Sequence, residues 1–362
     1  LPLAFTGSLL AALILFVPPV FLLAMTSPFL IRLEARRGSE GRTTGGLYAI
    51  GTVGSLTACY LTPLVLLQLW GTRSTLLFGA ALAGALCVGG LLLVRRHSDA
   101  AADVREPPPP TTAGVGRLYI VTALLTGWAV TVLEFGAVRF MAPWFGQSNY
   151  IWANVIGLIL LALASGSWIG GRWSDAALGR GAVGGRSLFG AIACAAGLIG
   201  IATLLGPSLL GGLMPAGVSS EHILPIAFHG SMAASLLLFA APMVLLGTAA
   251  PFLVRMAAPA RHAGRTAGVL FAWTTVGGLV GCFVTAPLLV PALGARGTLL
   301  LAAGALAMLS LWALRPAVWP ANTPRRAPAI AGAALLLILG LLGWQLSERP
   351  PLRVQKGQVV EV

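Results

Sequence analysis

The chain carries one stretch of sequence twice, 223 residues apart and without a gap. Residues 16–33 read FVPPVFLLAMTSPFLIRL, and residues 239–256 read FAAPMVLLGTAAPFLVRM. The register continues beyond them, because Gly-Arg-Thr at 41–43 returns at 264–266. An internal repeat limits the architecture before any motif is considered, since each copy must form the same structural unit. The repeat therefore predicts a fold that contains one unit twice.

Composition indicates that this unit spans a membrane. Hydrophobic residues make up 57% of the chain and charged residues only 9%, with a mean hydropathy of +0.90, whereas about 25% of the residues in soluble domains are charged. A helix needs about 20 largely apolar residues to cross a bilayer. Ten segments meet this condition, at about 8–31, 43–68, 74–94, 118–141, 150–171, 187–206, 228–254, 266–290, 297–314 and 328–346. We expect an all-α, polytopic membrane bundle with ten transmembrane helices.

The basic residues concentrate on alternate loops between these segments. Of the 23 basic residues, the 17 on these loops are Arg32, Arg36, Arg37, Arg42, Arg95, Arg96, Arg105, Arg117, Arg172, Arg180, Arg186, Arg255, Arg261, Arg265, Arg315, Arg325 and Arg326. Cytoplasmic loops of membrane proteins carry an excess of Arg and Lys. These loops are therefore predicted to face the cytoplasm. The net charge of +13 follows from this orientation and does not indicate a nucleic-acid partner.

The two copies are predicted to cross the membrane in the same direction, because an even number of spans separates them. Such parallel repeats are related by an axis along the membrane normal. Three spans, beginning near residue 118, precede the second copy. Because 118 − 223 = −105, we expect roughly a hundred residues with three equivalent spans to precede Leu1.

Polar stretches divide the chain into parts. Residues 97–116 include four consecutive prolines and too little apolar surface to fold, so they are predicted to form a cytoplasmic linker. The linker separates a half-repeat of three spans at 1–96 from a complete six-span repeat at 117–315. A loop with one extra span follows at 316–346, and a tail at 347–362.

One group of candidate binding residues lies at the fourth span. Glu134 is the one carboxylate set well inside a predicted span, where an ionisable group costs about 2.5–3.5 kcal/mol and indicates a functional site. Arg139 follows in the same span, and Ser148, Asn149 and Trp152 lie at the outer interface. These residues are candidates for binding a substrate or an ion. The alternative is an interfacial belt of aromatic and snorkelling side chains.

A second group lies on the cytoplasmic loops. Arg172 and Arg180 flank Asp175, and such charges at a helix end can form a relay that holds in one conformer and breaks in another. Arg42 and Arg265, each in a repeated Gly-Arg-Thr at a helix start, are the expected partners. The alternative is that these arginines only fix the orientation in the membrane.

Prolines recur at equivalent positions of the two copies. Pro19 and Pro28 return as Pro242 and Pro251, and a proline inside a helix removes a backbone donor and bends the helix. Kinks at matching positions of two halves indicate a transport path. The alternative is a kink that only shapes the bundle.

The sequence contains no motif for a cofactor, a metal or catalysis. Residues 179–184 match G-x-G-x-x-G, but they lie between two membrane spans, whereas a dinucleotide site requires a βαβ unit. The four cysteines fall inside predicted spans without a metal-binding spacing. No cofactor, metal or catalytic residue is therefore expected in these residues.

The arrangement of the candidate residues resembles the membrane part of the bacterial fused major facilitator/spermidine synthase proteins. The resemblance rests on Glu134, Arg139, Pro143, Gly146, Ser148, Trp152, Gly157, Gly170, Gly171, Arg172 and Asp175, and on the later run from Leu246 to Gly277. It implies a major-facilitator-like bundle in the bacterial inner membrane and a role connected with polyamines. Members of this family typically continue into an aminopropyltransferase-like domain, which would begin near Val362.

Three functions fit these observations. The chain could be a module that moves or channels polyamines or similar small solutes, with Glu134 facing the cation. It could instead be a non-transporting anchor or an accessory subunit that packs against other membrane subunits. The third function is the membrane part of an aminopropyltransferase-like enzyme with its catalytic domain beyond Val362. The expected partners are the lipid bilayer, other membrane subunits and a small-molecule substrate.

Overall fold

The structure is a computed structural model. It describes residues 2–34, 39–97, 115–146, 148–179, 182–213, 223–257, 263–315, 333–335, 337–338, 340–341, 353–355 and 358–360. Within them lie eleven long helices, numbered in chain order. They are α1 (Pro2–Ala24), α2 (Thr26–Glu34), α3 (Glu40–Leu61), α4 (Leu67–His97), α5 (Arg117–Phe145), α6 (Asn149–Leu178), α7 (Arg186–Leu213), α8 (Ile223–Gly247), α9 (Ala249–Ala257), α10 (Ala263–Val284) and α11 (Val290–Ala313).

Short elements complete the description. Two π-helical turns, Thr62–Leu66 and Thr285–Leu289, lead from α3 into α4 and from α10 into α11. A 3₁₀ turn at Ala182–Gly185 precedes α7. Near the end of the chain, strands β1 (Arg353–Gln355) and β2 (Gln358–Val360) pair antiparallel.

The predicted helical architecture is confirmed, and the length and apolar composition of its helices are compatible with a membrane protein. Seven helical segments of the described residues are long and apolar enough to cross a bilayer. Two of them, Glu40–Gly90 and Ala263–Ala313, contain 51 residues each, which at about 1.5 Å per residue is more than twice the hydrocarbon thickness of about 30 Å. The sequence predicted loops within both segments, and the structure has bent helices there. The predicted last span, 328–346, lies largely outside the described residues, as does most of the predicted linker at 97–116.

The helix boundaries repeat with the same offset of 223 residues as the sequence. Helix α9 begins and ends at the positions equivalent to the two ends of α2. The same holds for α3 with α10 and for the two π-helical turns. The two copies of the sequence therefore form the same succession of helices, as one repeated unit should.

Each of the two 51-residue segments contains one position that only glycine can occupy without backbone strain. Gly71 has φ 70° and ψ 174°, and Gly294 has φ 69° and ψ 171°. This left-handed conformation is nearly restricted to glycine. In both copies a threonine hydroxyl, that of Thr75 or Thr298, then donates to the glycine carbonyl oxygen at 2.8 Å. The bend is thus encoded by equivalent residues of the two copies.

Small residues allow the main helix pairs of the bundle to approach closely. A Cβ atom at Gly277 of α10 would overlap the carbonyl oxygen of Leu124 in α5. A Cβ atom at Gly166 of α6 would likewise overlap the carbonyl oxygen of Val244 in α8. Small residues serve this purpose in membrane bundles, where packing rather than water drives helix association.

The chain divides into two compact units, Leu1–Val53 with Val115–Val362, and Gly54–Gly114. The boundary between them falls within α3 and not only at the polar linker. The first half of α3 is buried at several positions, among them Glu40, Thr44 and Thr52, whereas most residues after Val53 in this helix are exposed. All the sites described below lie in the first unit.

Candidate functional site

A cavity of about 470 Å³ lies between α3, α5, α6, α10 and the junction of α8 with α9. Glu134 is its one carboxylate, and none of the described residues that line it is Lys, Arg or His. Hydroxyl groups come from Tyr48, Thr126, Thr131, Thr274 and Thr275. The rest of the lining is apolar or glycine, with the single thiol of Cys282. The cavity therefore presents one acidic group in an apolar, hydroxyl-bearing wall.

The helical period of α5 directs Glu134 to the cavity. Gly127, Val130, Thr131 and Glu134 line the same wall, and residues three or four apart share one face of a helix. Glu134 forms no ion pair with another described residue. A carboxylate placed within a membrane helix without a basic neighbour favours a proton or a cationic ligand as its partner.

Two aromatic rings meet at the cavity wall. Tyr48 of α3 and Phe271 of α10 lie with ring centroids 6.0 Å apart and an interplanar angle of 52°, within the range of favourable aromatic contacts. Both rings line the cavity together with Glu134. Aromatic faces attract cations, so these rings add to the preference that the carboxylate creates.

The helix interruption in the second copy also lies at the cavity. Helix α8 ends at Gly247 and α9 begins at Ala249, with a turn at Thr248. Gly247, Ala249 and Leu253 line the cavity. Pro251, predicted as a kink, is the third residue of α9, and its equivalent Pro28 is the third residue of α2.

The other two predicted prolines lie within helices. Pro19 is inside α1 and Pro242 is inside α8. A proline in the first helical turn is tolerated because the N–H group of that turn has no helical partner. In both copies the interruption, at Met25 or Thr248, is followed by a proline in the first turn of the next helix, Pro28 in α2 or Pro251 in α9.

The structure separates Arg139 from Glu134. Arg139 lines a second, smaller cavity of about 270 Å³, with Pro143, Trp144 and Arg296 among its neighbours. The sequence predicts one candidate group for the two charged residues, because they share a span. Glu134 and Arg139 line different cavities, so a single small ligand in the larger cavity does not contact both.

The other predicted candidates at the outer interface are Ser148, Asn149 and Trp152. The contacts described for Ser148 and Trp152 are local. The Ser148 hydroxyl caps α6 by accepting the Ile151 N–H at 3.4 Å, as expected of an N-cap serine. Trp152 packs edge-on against Phe135, with centroids 6.0 Å apart. The side chain of Asn149 lies outside the described part of the chain. Neither contact brings Ser148 or Trp152 to the cavity that contains Glu134.

At the opposite end of α6, Asp175 binds the start of α3. Its carboxylate accepts the backbone N–H of Gly41 at 3.0 Å and that of Arg42 at 2.8 Å. The first N–H groups of a helix have no partner within the helix and attract anions. Asp175 thus caps a helix that is 133 residues away in sequence.

An arginine completes this cluster. The Nε atom of Arg255 lies 3.2 Å from Oδ1 of Asp175 and 3.3 Å from Oε2 of Glu40. Glu40 is 2% exposed, so the arginine is the positive charge that compensates two carboxylates with little access to solvent. Removing one partner from such a group leaves a buried charge uncompensated.

Neither Glu40 nor Arg255 is among the candidate site residues that the sequence predicts. A signal was available for both, because Arg255 repeats Arg32, and Glu40 directly precedes the first Gly-Arg-Thr. The sequence pattern assigns Arg255 only to a cytoplasmic loop and does not single out Glu40. Asn154 was also missed, although it is buried and donates to the Phe228 carbonyl oxygen at 2.9 Å and to Ser231 Oγ at 3.1 Å.

The three predicted loop arginines that the structure describes, Arg42, Arg172 and Arg265, do not join this cluster through their side chains. The guanidinium of Arg172 stacks on the Trp168 ring, 3.7 Å from its centroid. Arg42 contributes its backbone N–H, while Arg265 is exposed at the start of α10. Arg180 lies outside the described residues.

Comparison with protein-family models, curated proteins and solved structures found no match. The observations that bear on function are therefore the repeat, the cavity with Glu134 and the cluster at Asp175.

Proposed function

We propose that this chain is the membrane module of a carrier for a small cationic solute, with Glu134 as the group that faces the cation. The single observation that carries the proposal is the position of Glu134. It is the one carboxylate in a cavity whose described lining has no basic residue. A charged group inside a membrane bundle is costly and is retained where a pathway needs it.

The size and lining of the cavity support a ligand with few charges. A volume of about 470 Å³ is within the range of small-molecule sites. One carboxylate can compensate one ammonium group, whereas each further buried ammonium without a partner is unfavourable. The family resemblance suggests polyamines as the solute class, and the cavity favours the smaller amines of that class over spermidine.

The cluster of Asp175, Arg255 and Glu40 suits a part that opens and closes. It joins the ends of α6 and α9 to the start of α3. Interactions between helix ends that form in one conformer and break in the other are a common switching device. We propose that this cluster holds the chain closed on the side of the arginine-rich loops, which we assign to the cytoplasm of a bacterial inner membrane.

The same proposal includes the family and the number of spans. If each 51-residue segment crosses the membrane twice, bending at Gly71 and Gly294, the seven segments provide nine spans, and 328–346 would add a tenth. A major-facilitator-like module with two parallel repeats is consistent with the equal helix boundaries in the two copies.

Equilibrium binding to the purified chain in lipid nanodiscs tests the proposal. The probes are radiolabelled butylamine, putrescine and spermidine. We expect saturable binding of at least the first two, and a loss of more than tenfold in affinity in Glu134→Gln. Glu34→Gln is the matched control, because it removes an exposed carboxylate from α2. Equal binding by the Glu134→Gln variant and the unaltered chain would contradict the proposal.

A further inference from the structure

We propose that α1 and α2 form a docking face for a second membrane-embedded layer of three apolar helices, built like α5–α7 and carrying a carboxylate beside Arg32. The inference starts from a difference between the two copies of the repeat. Leu238 and Phe239 of α8 are 4% and 1% exposed. Their equivalents in α1, Leu15 and Phe16, have the same side chains but are 66% and 55% exposed.

The difference is confined to one face of the helix. Ile14 of α1 and its equivalent Leu237 of α8 are 65% and 64% exposed. This position faces outward in both copies, as expected of a lipid-facing side chain. The neighbouring positions 15 and 16 are covered in the second copy alone, so they mark a helix-packing face rather than the general surface.

The second copy shows what covers this face. Helix α8 packs against α6 and α7, and to a lesser extent against α5. Helix α1 makes its main contact with the short α2. The layer that covers α8 is therefore a three-helix apolar segment, Arg117–Leu213, and the equivalent face of α1 carries Leu15 and Phe16 where α8 carries Leu238 and Phe239.

Helix α2 repeats the pattern. Phe252 of α9 is fully buried and packs edge-on against Trp173 of α6, with centroids 5.1 Å apart. Its equivalent Phe29 in α2 is 64% exposed. The docked layer is therefore expected to present an aromatic side chain to Phe29, as α6 presents Trp173 to Phe252.

Charge specifies the occupant further. Arg255 meets Asp175 of α6, but its equivalent Arg32 is exposed and makes no ion pair with the described residues. Arg32 lies beside the start of α10, since a Cβ atom at Gly264 would be 2.6 Å from the Arg32 Cβ. Arg255 likewise lies beside the start of a helix, α3, and there it binds the carboxylate of Asp175. The occupant must supply the acid that corresponds to Asp175.

A second copy of this chain does not suit the face. Its own α5–α7 layer is already used against α8 and α11 within the same chain, and Leu188 and Phe189 of that layer are fully buried. Lipid alone does not suit it either, because a headgroup phosphate can pair with Arg32 but acyl chains cannot present a fixed aromatic ring to Phe29, as Trp173 does to Phe252. A separate three-helix segment meets both requirements.

Photo-cross-linking in the full chain tests the proposal. Benzoylphenylalanine replaces Phe16 in one variant and Ile14 in a matched control, both in the membranes of the organism that encodes the chain. Both positions are exposed in this chain, so both variants should fold. Cross-linked peptides are sequenced by mass spectrometry. We expect position 16 to capture an apolar helix that is not part of residues 1–362, from a segment with at least three spans and an acidic residue at one end, and position 14 to capture lipid.

A charge-reversal variant decides whether the captured segment is the proposed one. Arg32→Glu should reduce the cross-link from position 16 at least fivefold, whereas Arg32→Lys should retain most of it. Capture of lipid alone at position 16 would overturn the proposal. Capture of peptides from residues 1–362, in a product of twice the chain mass, would overturn it and would show self-association. A cross-link that is unchanged in Arg32→Glu would overturn the assignment of a carboxylate beside Arg32.

Discussion

Tyr48 and Phe271 occupy the same position in the two copies of the repeat, and their rings meet with centroids 6.0 Å apart. This contact lies at the wall of the cavity that contains Glu134. The cavity is therefore located where the two copies of the unit meet, and transporters with internal repeats bind their substrates at such positions.

The ring contact should contribute measurably to stability. Replacing Tyr48 or Phe271 by leucine removes an aromatic pair, and the two changes together should show a coupling of about 0.5–1.5 kcal/mol in a double-mutant cycle. Tyr48→Phe retains the ring and should show little change in the free energy of unfolding. The measurement is denaturant unfolding of the purified chain in detergent. Strict additivity of the two leucine variants would show that the rings do not interact.

The three-residue charge cluster predicts an order of stability among its variants. Arg255→Gln leaves Glu40 and Asp175 without their cation and should destabilise the chain by about 3–5 kcal/mol. Glu40→Gln should be milder, because Arg255 keeps Asp175 as a partner. Thermal unfolding in detergent compares the two variants with the exposed control Arg265→Gln. If Glu40→Gln were the more damaging change, the cluster would not act as described.

Asp175 also caps α3, and a comparison of two variants at this position tests that role. Asp175→Asn keeps an oxygen that can accept one N–H at the start of α3, but it loses the charge that attracts both the helix terminus and Arg255. We expect a loss of about 1–3 kcal/mol, smaller than that of Asp175→Ala, because a capping bond to a charged acceptor is replaced by a neutral one. Urea unfolding of both variants checks the order. An alanine variant as stable as the asparagine variant would remove the capping role.

The bent helix α11 predicts a position-specific effect of alanine. Gly294→Ala forces a left-handed conformation on a residue with a Cβ atom and should cost about 1–3 kcal/mol. Gly304→Ala, in the same helix, places its Cβ 3.6 Å from Ile338 Cγ2 and should be neutral or slightly stabilising. Thermal unfolding of the two variants compares them directly. Similar unfolding temperatures would mean that Gly294 does not hold this conformation.

The single thiol in the cavity lining predicts a labelling pattern. In a variant with Cys59, Cys87 and Cys194 replaced by serine, a small, charged methanethiosulfonate reagent should modify Cys282 through the cavity. A cationic ligand bound at Glu134 should slow this modification several-fold, since both residues line the same space. Mass spectrometry follows the reaction. If Cys282 were labelled at the same rate with and without saturating ligand, the ligand would bind outside this cavity.

The sequence predicted the helical membrane architecture and the equal structure of the two copies because apolar length and repetition are local signals. It did not predict the bent segments, since Gly71 and Gly294 lie in stretches that also read as short loops. The Asp175 cluster was predicted only in part. Its aspartate lies in a recognisable loop, but Arg255 and Glu40 reach it through tertiary packing. The separation of Glu134 from Arg139 likewise depends on neighbouring helices, which the sequence of one span does not specify.

The most direct test of the account is solute flux through the purified chain in proteoliposomes. Uptake of radiolabelled putrescine or butylamine is compared for the unaltered chain, Glu134→Gln, Glu134→Asp and the exposed control Glu34→Gln. The account predicts flux for the unaltered chain and for Glu34→Gln, a loss of at least tenfold in Glu134→Gln, and partial activity in Glu134→Asp. Flux in Glu134→Gln equal to that of the unaltered chain would contradict the central role of this carboxylate.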